Sequence, residues 1–580
     1  MKILLTILLF MPGAFLWGQK HDYLWTFGGK GLNSINPVDF GLIQFDFRLD
    51  PPAIFIDPVL RADPQYTMYH GYVSVSICDS FGNHQFYGTG VRFKNFLHHE
   101  IDGGPFNLAP SSFNAPQQAI SVPIGGQSSR YYFIQDSTDF YVDNGIPKVG
   151  ALKMWYSIID MTKNNGQGEI NPIRISILHK DTLTPGKITA VKHGNGRDWW
   201  VLKGGHKQSG IMNKILTQPD TVYVHNIQTV IVHDQYTTGQ ALFSPSGDKY
   251  VVSSGISEVT LEARINIYFF DRCTGLLSLD TFKVYGGGNV LGAAFSPDGR
   301  FLYVSANDTV FQYDFNEPDL IGSETVVAIY DPDAAPGNTT FYRSMMGPDG
   351  KIYWATSGGT KYLNVIEDPH EKGLACNVKQ ALYMGAYMSS TQANYPNYRL
   401  GPLDGSPCDT LGMDNMPLAE FRVRTDSTLN VKFIDRSAYE PTDWYWSFGD
   451  GGISTEVHPA HVYATSGTYE VCLTVSNVNG SDTYCRYVHL GTSATDDIRK
   501  DAQITLFPNP AQDILNVNIA GFYPVGARLL IYDLLGRPIQ STALSSGLQG
   551  VSIESIPPGA YVWQVHLGGD ELSVGKLIVE

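Results

Sequence analysis

At 580 residues the chain is longer than the ~100–250 residues that one hydrophobic core usually organises, so several domains are expected. Charged residues make up only 17%, against 43% hydrophobic and 12% aromatic, with 59 Gly and 33 Pro, a balance that suits short strands and tight turns rather than long charged helices. The net charge of −16 and the lack of any Lys/Arg run able to neutralise a row of phosphates speak against a nucleic-acid partner.

The chain opens on "MKILLTILLFMPGAFLWGQK": one Lys, an apolar stretch, then small and polar residues. This reads as a secretory signal peptide over residues 1–18, cleaved beside Gly18 and Gln19. The competing reading is a membrane anchor, but a spanning helix needs ~20 apolar residues and Pro12-Gly13 interrupts this one. No Cys ends the apolar stretch, so lipid attachment is not expected, and no later segment is long enough to span a bilayer.

Export permits disulfides, and the six Cys are an even number. Cys472 and Cys485 flank "LTVSNVNGSDTY", two alternating stretches around a Gly turn, so a hairpin sets them opposite each other and a bridge is expected. Cys376 and Cys408 are the second expected pair, which leaves Cys78 and Cys273 as either a third bridge or buried thiols. No CxxC spacing points to zinc or redox work.

From residue 22 onward the strand signals are short and frequent, as in "YVSVSICDSFGNHQFYGTGVRF" (72–93) and "SRYYFIQDSTDFYVDNG" with "ALKMWYSIIDM" (129–161). Then a period appears. "VKHGNGRDWWVLKGG", "LFSPSGDKYVVSSG", "AFSPDGRFLYVSAN" and "MMGPDGKIYWATSG" align on Gly196, Gly247, Gly299 and Gly350, at spacings of 51, 52 and 51 residues. In each, an apolar run precedes the turn and an alternating β-branched and aromatic run follows it, the pattern of a hairpin with one buried face. Pro297 presets the turn's φ and Gly299 takes its left-handed position, so Asp298-Gly299 reads as turn chemistry rather than a metal or phosphate loop.

Each interval has room for about four strands, and four-stranded units repeated radially make a β-propeller. Six or seven blades are expected over 22–403, with one ring-closing blade drawn from both ends as an option. "TAVKHGNGRDWWVL" (189–202), the "FSPDG" copies, "FDRCTG" (270–275) and "NYRLGPLDGSPCDTLGMDN" (397–415) resemble a group of secreted Bacteroidetes proteins built on a WD-repeat-like or lactonase-like propeller. That resemblance implies architecture and export, and no shared activity.

A Gly/Pro/Asp-rich linker is expected at 404–417, followed over 418–490 by about seven short alternating strands, the size of an immunoglobulin-like sandwich. "WYWSFGDG" (444–451), "HVY" (461–463) and "GTYEVCLTVSN" (467–477) resemble a PKD domain. On that pattern Trp446, Phe448, Tyr463 and Tyr469 build the core, Gly449, Asp450, Gly451 and Gly467 shape turns, and His461 is structural rather than a ligand with His458. Trp444 and Tyr445 are read as core before sugar-stacking residues. The resemblance implies a spacer, or a contact module for protein or carbohydrate.

After a polar linker at 491–501, residues 502–580 resemble the type A C-terminal sorting domain of the type IX secretion system. Phe507, Pro508, Asn509 and Pro510, then Gly536 and Arg537, then Gly559 and Tyr561, then Lys576 fall on that family's landmarks. The resemblance implies a third small β-sandwich and a route: export on the signal peptide, then passage of the outer membrane on this domain. The type IX machinery is the implied partner.

Chemistry-bearing constellations are few. In "HHE" (98–100) neighbouring residues on a strand point to opposite faces, so a solvated loop is expected. "DPDAAPGN" (331–338) carries Asp331 and Asp333 but lacks the Gly and Glu of a calcium loop, and "NNGQGE" (164–169) lacks the GK[ST] ending that engages phosphates. No cofactor is expected; Ca²⁺ is the one metal such extracellular modules would take weakly. The alternative to a secreted or surface binding protein is a secreted hydrolase or lyase working in the propeller channel, with residues such as His193, His233 and Glu262 as candidates. The binding reading is preferred, because fold likeness alone does not license catalysis.

Overall fold

The computed structural model describes residues 20–28, 42–48, 52–57, 75–104, 106, 117–126, 129–143, 146–205, 210–230, 239–254, 262–286, 290–306, 308–332, 340–356, 360–388, 394–425, 429–490, 503–507, 510–520, 527–533, 537–544, 547–567 and 570–579. Gly18 and Gln19 lie outside them. The chain divides into two compact units: residues 1–422 with 435–445 and 473–484, and residues 423–434 with 446–472 and 485–580.

Among its described residues the first unit holds seven successive antiparallel sheets. The last four are regular four-stranded meanders, one for each aligned Gly: Thr189–Lys192 to Thr221–Thr229, Ala241–Phe243 to Leu277–Gly286, Val290–Phe295 to Thr325–Ile329, and Ser344–Met346 to Val378–Met388. The first three are less regular: Leu24–Gly28 to Ala53–Asp57, Val75–Cys78 to Phe93–Asn95, and a five-stranded sheet from Ala119–Pro123 to Ile175–Leu183. This is a β-propeller, and the second strands of its four regular sheets are buried along most of their length, as in Phe301–Ala306.

Among the described residues no sheet is drawn from both ends of the propeller. Among the described residues the first sheet is built only from Leu24 to Asp57 and the seventh only from Ser344 to Met388. They meet instead along an apolar seam in which Trp25, Phe45 and Phe47 pack on Tyr353, Leu363 and Met384. Trp25 and Tyr353 touch edge to face at 5.6 Å, an arrangement aromatic pairs favour.

Sheets three and four are joined by a fully buried ion pair between Asp136 and Lys203. Lys203 also donates to the Thr184 and Gly186 carbonyls, and Gln118 donates to the second Asp136 oxygen at 3.0 Å. Burial pushes the Asp136 carboxyl up, against the pull of Lys203. Such a pair is costly to break, because either partner alone would be an uncompensated buried charge.

The four aligned turns are the same object. Gly196, Gly247, Gly299 and Gly350 have φ of 76°, 74°, 73° and 83°, and each donates its N–H to the residue three back at 2.9 Å. The turn Asp caps its own loop: Asp298 accepts from the Arg300 N–H, and Asp349 from the Lys351 N–H and the Tyr353 hydroxyl. The turns differ in what covers them. A Cβ on Gly196 would meet Pro402 and Met413, on Gly247 Leu400 and Arg272, and on Gly350 the Arg436 guanidinium at 2.6 Å, whereas at Gly299 only Pro245 comes near, at 3.6 Å.

The stretch expected as a linker, 404–417, is tied into the first unit. Leu403 N–H donates to Gly194 O at 2.8 Å, Cys408 is disulfide-bonded, and Asn415 is buried with its amide on Pro402 O. The sandwich that follows has the strand orders Phe421–Thr425, Asn430–Asp435, Ala460–Val462 and Ile453–Ser454, Asp443–Ser447, Gly467–Asn477, Gly480–Leu490.

Residues 503–579 in the second unit form another pair of sheets, Gln503–Phe507, Ile514–Ala520, Gly547–Ser552 and Pro538–Ala543, Ala527–Tyr532, Gly559–Leu567, Asp570–Val579. Leu515, Val517, Leu529, Ile531, Val565 and Leu577 alternate inward to make its core.

Gly299→Ala and Gly350→Ala separate turn strain from packing. Each substitution forces a non-Gly residue to positive φ, at about 1 kcal/mol, and Gly350→Ala must in addition displace the buried Arg436. Urea titrations are expected to show Gly350→Ala losing about 2 kcal/mol or more and Gly299→Ala about half that; equal losses would contradict the packing account.

Candidate functional site

A propeller's axis is where its inner strands converge, and it is the natural place to look for a site. Here the inner strands turn an unpaired edge to the centre, so their backbone groups need partners. Side-chain amides supply them across the axis. Gln117 donates to Ala241 O at 2.9 Å and accepts from Ala241 N at 2.8 Å, reproducing a backbone bridge between the third and fifth sheets. Gln240 does the same for Ser344, donating to its carbonyl at 2.7 Å and accepting from its N–H, and accepts from Ala293 N as well.

The rest of the axis is filled by the chain itself. Residues 394–403, "NYPNYRLGPL", pass beside the inner strands and bond to four of the sheets. Asn394 donates to Ala119 O at 3.1 Å and Ile188 O at 2.7 Å; Tyr395 donates to Leu24 O, Asn397 to Pro245 O and Tyr398 to Ser121 O. Arg399 forms a two-pronged pair with Asp22 at 2.7 and 2.9 Å and lies over the Tyr23 ring. Tyr23 in turn donates to the Glu420 carboxylate at 2.7 Å.

Two basic side chains secure the same segment from the fourth and fifth sheets. Lys192 donates to Tyr398 O at 3.0 Å; burial, and then the neighbouring Arg272 charge, lower its pKa to about 7. Arg272 bonds the carbonyls of Lys192 and Gly401. What remains along the axis is a cavity of about 90 Å³ lined by Gln240, Ser344, Met345 and Asn394 among others. Ligand pockets usually hold ~300–1,000 Å³, so this one has room for a few waters.

His193, the one channel candidate whose side chain is described, is engaged by backbone at both ring nitrogens: Nε2 meets Cys273 O at 3.1 Å and Nδ1 accepts from Asn195 N–H at 3.0 Å. Burial lowers its pKa, against the opposing pull of Asp198. His233 and the Glu262 side chain lie outside the described residues. The HHE stretch is a turn, with His98 at φ 65° and its Nδ1 on the Tyr87 hydroxyl, His99 N–H on Asn95, and Glu100 3.9 Å from Arg92. Asn164–Gly166 is a short 3-10 turn; Asp331 is exposed and Asp333 is outside the described residues. Among the described residues no three His, Cys, Asp or Glu side chains are grouped to hold a metal ion.

Two disulfides are present. Cys472 and Cys485 are bonded across the hairpin; Cys408 is bonded to Cys273 rather than to Cys376. The expected Cys376–Cys408 pair is therefore corrected: residues 394–408 return across the fold to the turn that carries Cys273, while Cys376 is a buried free thiol, as is Cys78.

In the sandwich Trp446, Phe448 and Tyr463 are buried. Trp446 Nε1 donates to Glu456 O at 2.9 Å and the Tyr463 hydroxyl to Phe448 O at 3.0 Å. His461 stacks on Phe448 with ring centres 4.2 Å apart and meets Asp450 Oδ2 at 2.8 Å through Nε2; Gly452 N–H also bonds Asp450. Burial opposes ionisation of Asp450, but these bonds outweigh it and hold its pKa below the ordinary value. His458 is half-buried in the preceding bend. Gly449, at φ 81°, would drive a Cβ to 2.6 Å from Glu470 O, Gly451 sits at φ 95°, and Gly467 lies against the Tyr469 ring. Tyr469 packs on Tyr463 at 4.2 Å and donates to Thr465 O. Tyr445 is exposed and Trp444 half-buried.

In the last module Tyr561 is buried and donates to Pro557 O at 2.7 Å, with Gly559 against its ring. Exposed Arg537 pairs with Asp533, Pro510 is exposed, and Lys576 sits opposite Val562 on the final strand. The Phe507 side chain, Pro508, Asn509 and Gly536 lie outside the described residues.

Comparison with known proteins agrees with this division. Residues 416–490 match a family described as PKD domain, and residues 505–580 match one described as secretion system C-terminal sorting domain. The chain thus carries a PKD domain and a type IX sorting domain, and the latter marks it for secretion or the outer surface. No described helix is long and apolar enough to cross a membrane.

A 39-residue stretch is 51% identical to Collagenase ColA of Bacillus cereus, which spans 7% of this chain and 4% of that protein. The crystal structure of the PKD1 domain of Vibrio anguillarum Epp is 31% identical over 14% of this chain and 99% of its own, with a TM-score of 0.13. The periplasmic gluconolactonase of Pseudomonas aeruginosa is 14% identical over 63% of this chain and 99% of its own, with a TM-score of 0.23.

His21 ties the start of the first sheet to this axis. Its Nδ1 meets Cys78 O at 2.6 Å, its ring lies 5.0 Å from that of Tyr398, and burial lowers its pKa to about 4. The unfolded chain therefore binds this proton more readily than the fold does. The His21 contribution is complete above pH ~6.5 and drains away as the pH falls toward 4, by on the order of 3 kcal/mol. Urea midpoints between pH 7 and 4 should fall less steeply for His21→Asn than for the native chain; parallel curves would remove His21 as the cause.

Proposed function

We propose that the chain is an exported binding protein of the cell surface, with the propeller as interaction platform, the PKD domain as spacer or contact module and the sorting domain as address. On this reading residues 1–18 are a signal peptide, each of the seven sheets is one blade, and residues 491–501 link the last module.

The supporting observation is which side of the propeller the described residues cover. The aligned turns, at Gly196, Gly247 and Gly350, are covered by Pro402, Leu400 and Arg436, and the axis is filled by residues 394–403. The opposite side is where second strands such as Trp199–Gly204 and Lys249–Ser254 end, and where the copies differ most in sequence. Their connections, 205–210 and 255–261, share neither length nor motif, unlike the turns. Loops on a rigid scaffold are the usual carriers of recognition. The hydrolase or lyase reading asks for a substrate-sized channel, and an axial cavity of about 90 Å³ gives it no support.

The purified full chain, screened against glycans and cell-surface proteins, is expected to retain a binder. Replacing residues 206–209 and 255–261 by Gly/Ser segments of the same length should reduce that binding at least tenfold with the circular dichroism unchanged. Undiminished binding would place the site elsewhere. In its own host, deletion of residues 502–580 is expected to leave the protein inside the outer membrane; normal appearance outside the cell would break the sorting assignment.

A further inference from the structure

We infer that residues 394–408 are an axial strap that completes the propeller in place of a shared blade, and that the Cys273–Cys408 bond latches it, making closure of the ring dependent on oxidation. Among the described residues the first and seventh sheets exchange no strand and meet through the packing of Trp25, Phe45 and Phe47 on Tyr353, Leu363 and Met384. What reaches across is the strap. Asn394 and Tyr398 bind the third sheet, Tyr395 the first, Asn397 the turn of the fifth, and Arg399 the Asp22 carboxylate just before the first sheet begins.

The far end needs its own fastening. Beyond Leu403, whose N–H bonds Gly194 O, the strap runs into an exposed stretch with bonds mostly to its own neighbours, such as Gly405 to Asp409. Cys408 is bonded there to Cys273, in the turn Asp271–Gly275 of the fifth sheet, whose Arg272 also holds Gly401 O. The bond closes a loop of 135 residues. Long loops are where a covalent latch restricts the open chain most. A Cβ on Gly194 would lie 2.4 Å from the Cys408 sulfur and 3.0 Å from that of Cys273, so the bridge is seated against the fourth sheet's turn rather than hanging in solvent.

Latching transfers two electrons. Each thiol gives up one proton and one electron to an external disulfide of the oxidoreductase class, which leaves as a dithiol while the Sγ–Sγ bond forms. In a reducing compartment the exchange runs the other way and the strap is held by its hydrogen bonds, the Arg399–Asp22 pair and the packing of Tyr398 and Leu400. The other bridge, Cys472–Cys485, joins residues 13 apart across a hairpin and has no part in the ring.

Amide hydrogen exchange on the full chain tests this. For Cys273→Ser/Cys408→Ser, exchange in residues 394–403 and in Leu24–Gly28 and Leu42–Asp46 is expected to rise at least tenfold, while Phe301–Ala306 in the sixth sheet stays protected. Cys472→Ser/Cys485→Ser should leave the strap as it is. If the latch variant does not fold, mild reduction of the folded native chain replaces it, read in the same segments, and Asn394→Leu should reproduce the effect on the first sheet without touching either thiol. Faster exchange confined to residues 404–411, or no difference from the Cys472→Ser/Cys485→Ser control, would reduce the bond to a staple on a surface loop and overturn the inference.

Discussion

The constraint on which the propeller depends is that the inner strands must satisfy axis-facing backbone groups that no neighbouring strand pairs. Gln117, Gln240 and Asn394 answer seven such groups between them, on Ala119, Ile188, Ala241, Ala293 and Ser344. An unmet buried group costs ~1–3 kcal/mol, so leaving all of them open would consume a sum comparable to a domain's whole net stability. Everything else about the axis follows from that need: the strap lies where it does because it carries donors, and the cavity is small because the donors fill it.

How much of this was legible in the sequence depends on whether the determinant is local. The turns were legible because positive φ demands Gly and the demand recurs every 51 or 52 residues, so Gly196, Gly247, Gly299 and Gly350 declare themselves. Cys472–Cys485 was legible for the same reason, since a hairpin brings its own ends together. Cys273–Cys408 was not. Its partners meet only because the strap returns across the fold, and pairing by proximity in sequence chose Cys376 instead. The axial amides are the extreme case: a lone Gln or Asn between apolar residues carries no mark of the strand it will serve. Nor does the strap: "NYPNYRLGPL" falls within the stretch read as propeller, but nothing in it names the sheets it will bond.

The sandwich motifs were legible as residues but not as roles. Asp450, which could pass for a ligand, caps the Gly452 N–H and holds His461, and His461 spends its ring on Phe448. The same holds for Tyr561, whose hydroxyl returns to the loop beneath it at Pro557. In each case a polar atom on an aromatic body is satisfied by the nearest backbone, which is what burial of such a side chain requires. Asp450, His461 and Tyr561 are thus conformational residues of their modules.

The strap also limits how such a chain can evolve. Repeat proteins usually change size by gaining or losing a unit, each copy contacting only its neighbours. Here one segment is fitted to the first, third, fourth and fifth sheets at once, through Leu24, Ser121, Lys192 and Pro245. Adding or deleting a sheet would change the angle between neighbours and carry those partners out of reach together. Duplication, the cheapest route to novelty in a tandem architecture, is closed to this one, and diversification is left to point changes and insertions in its connections.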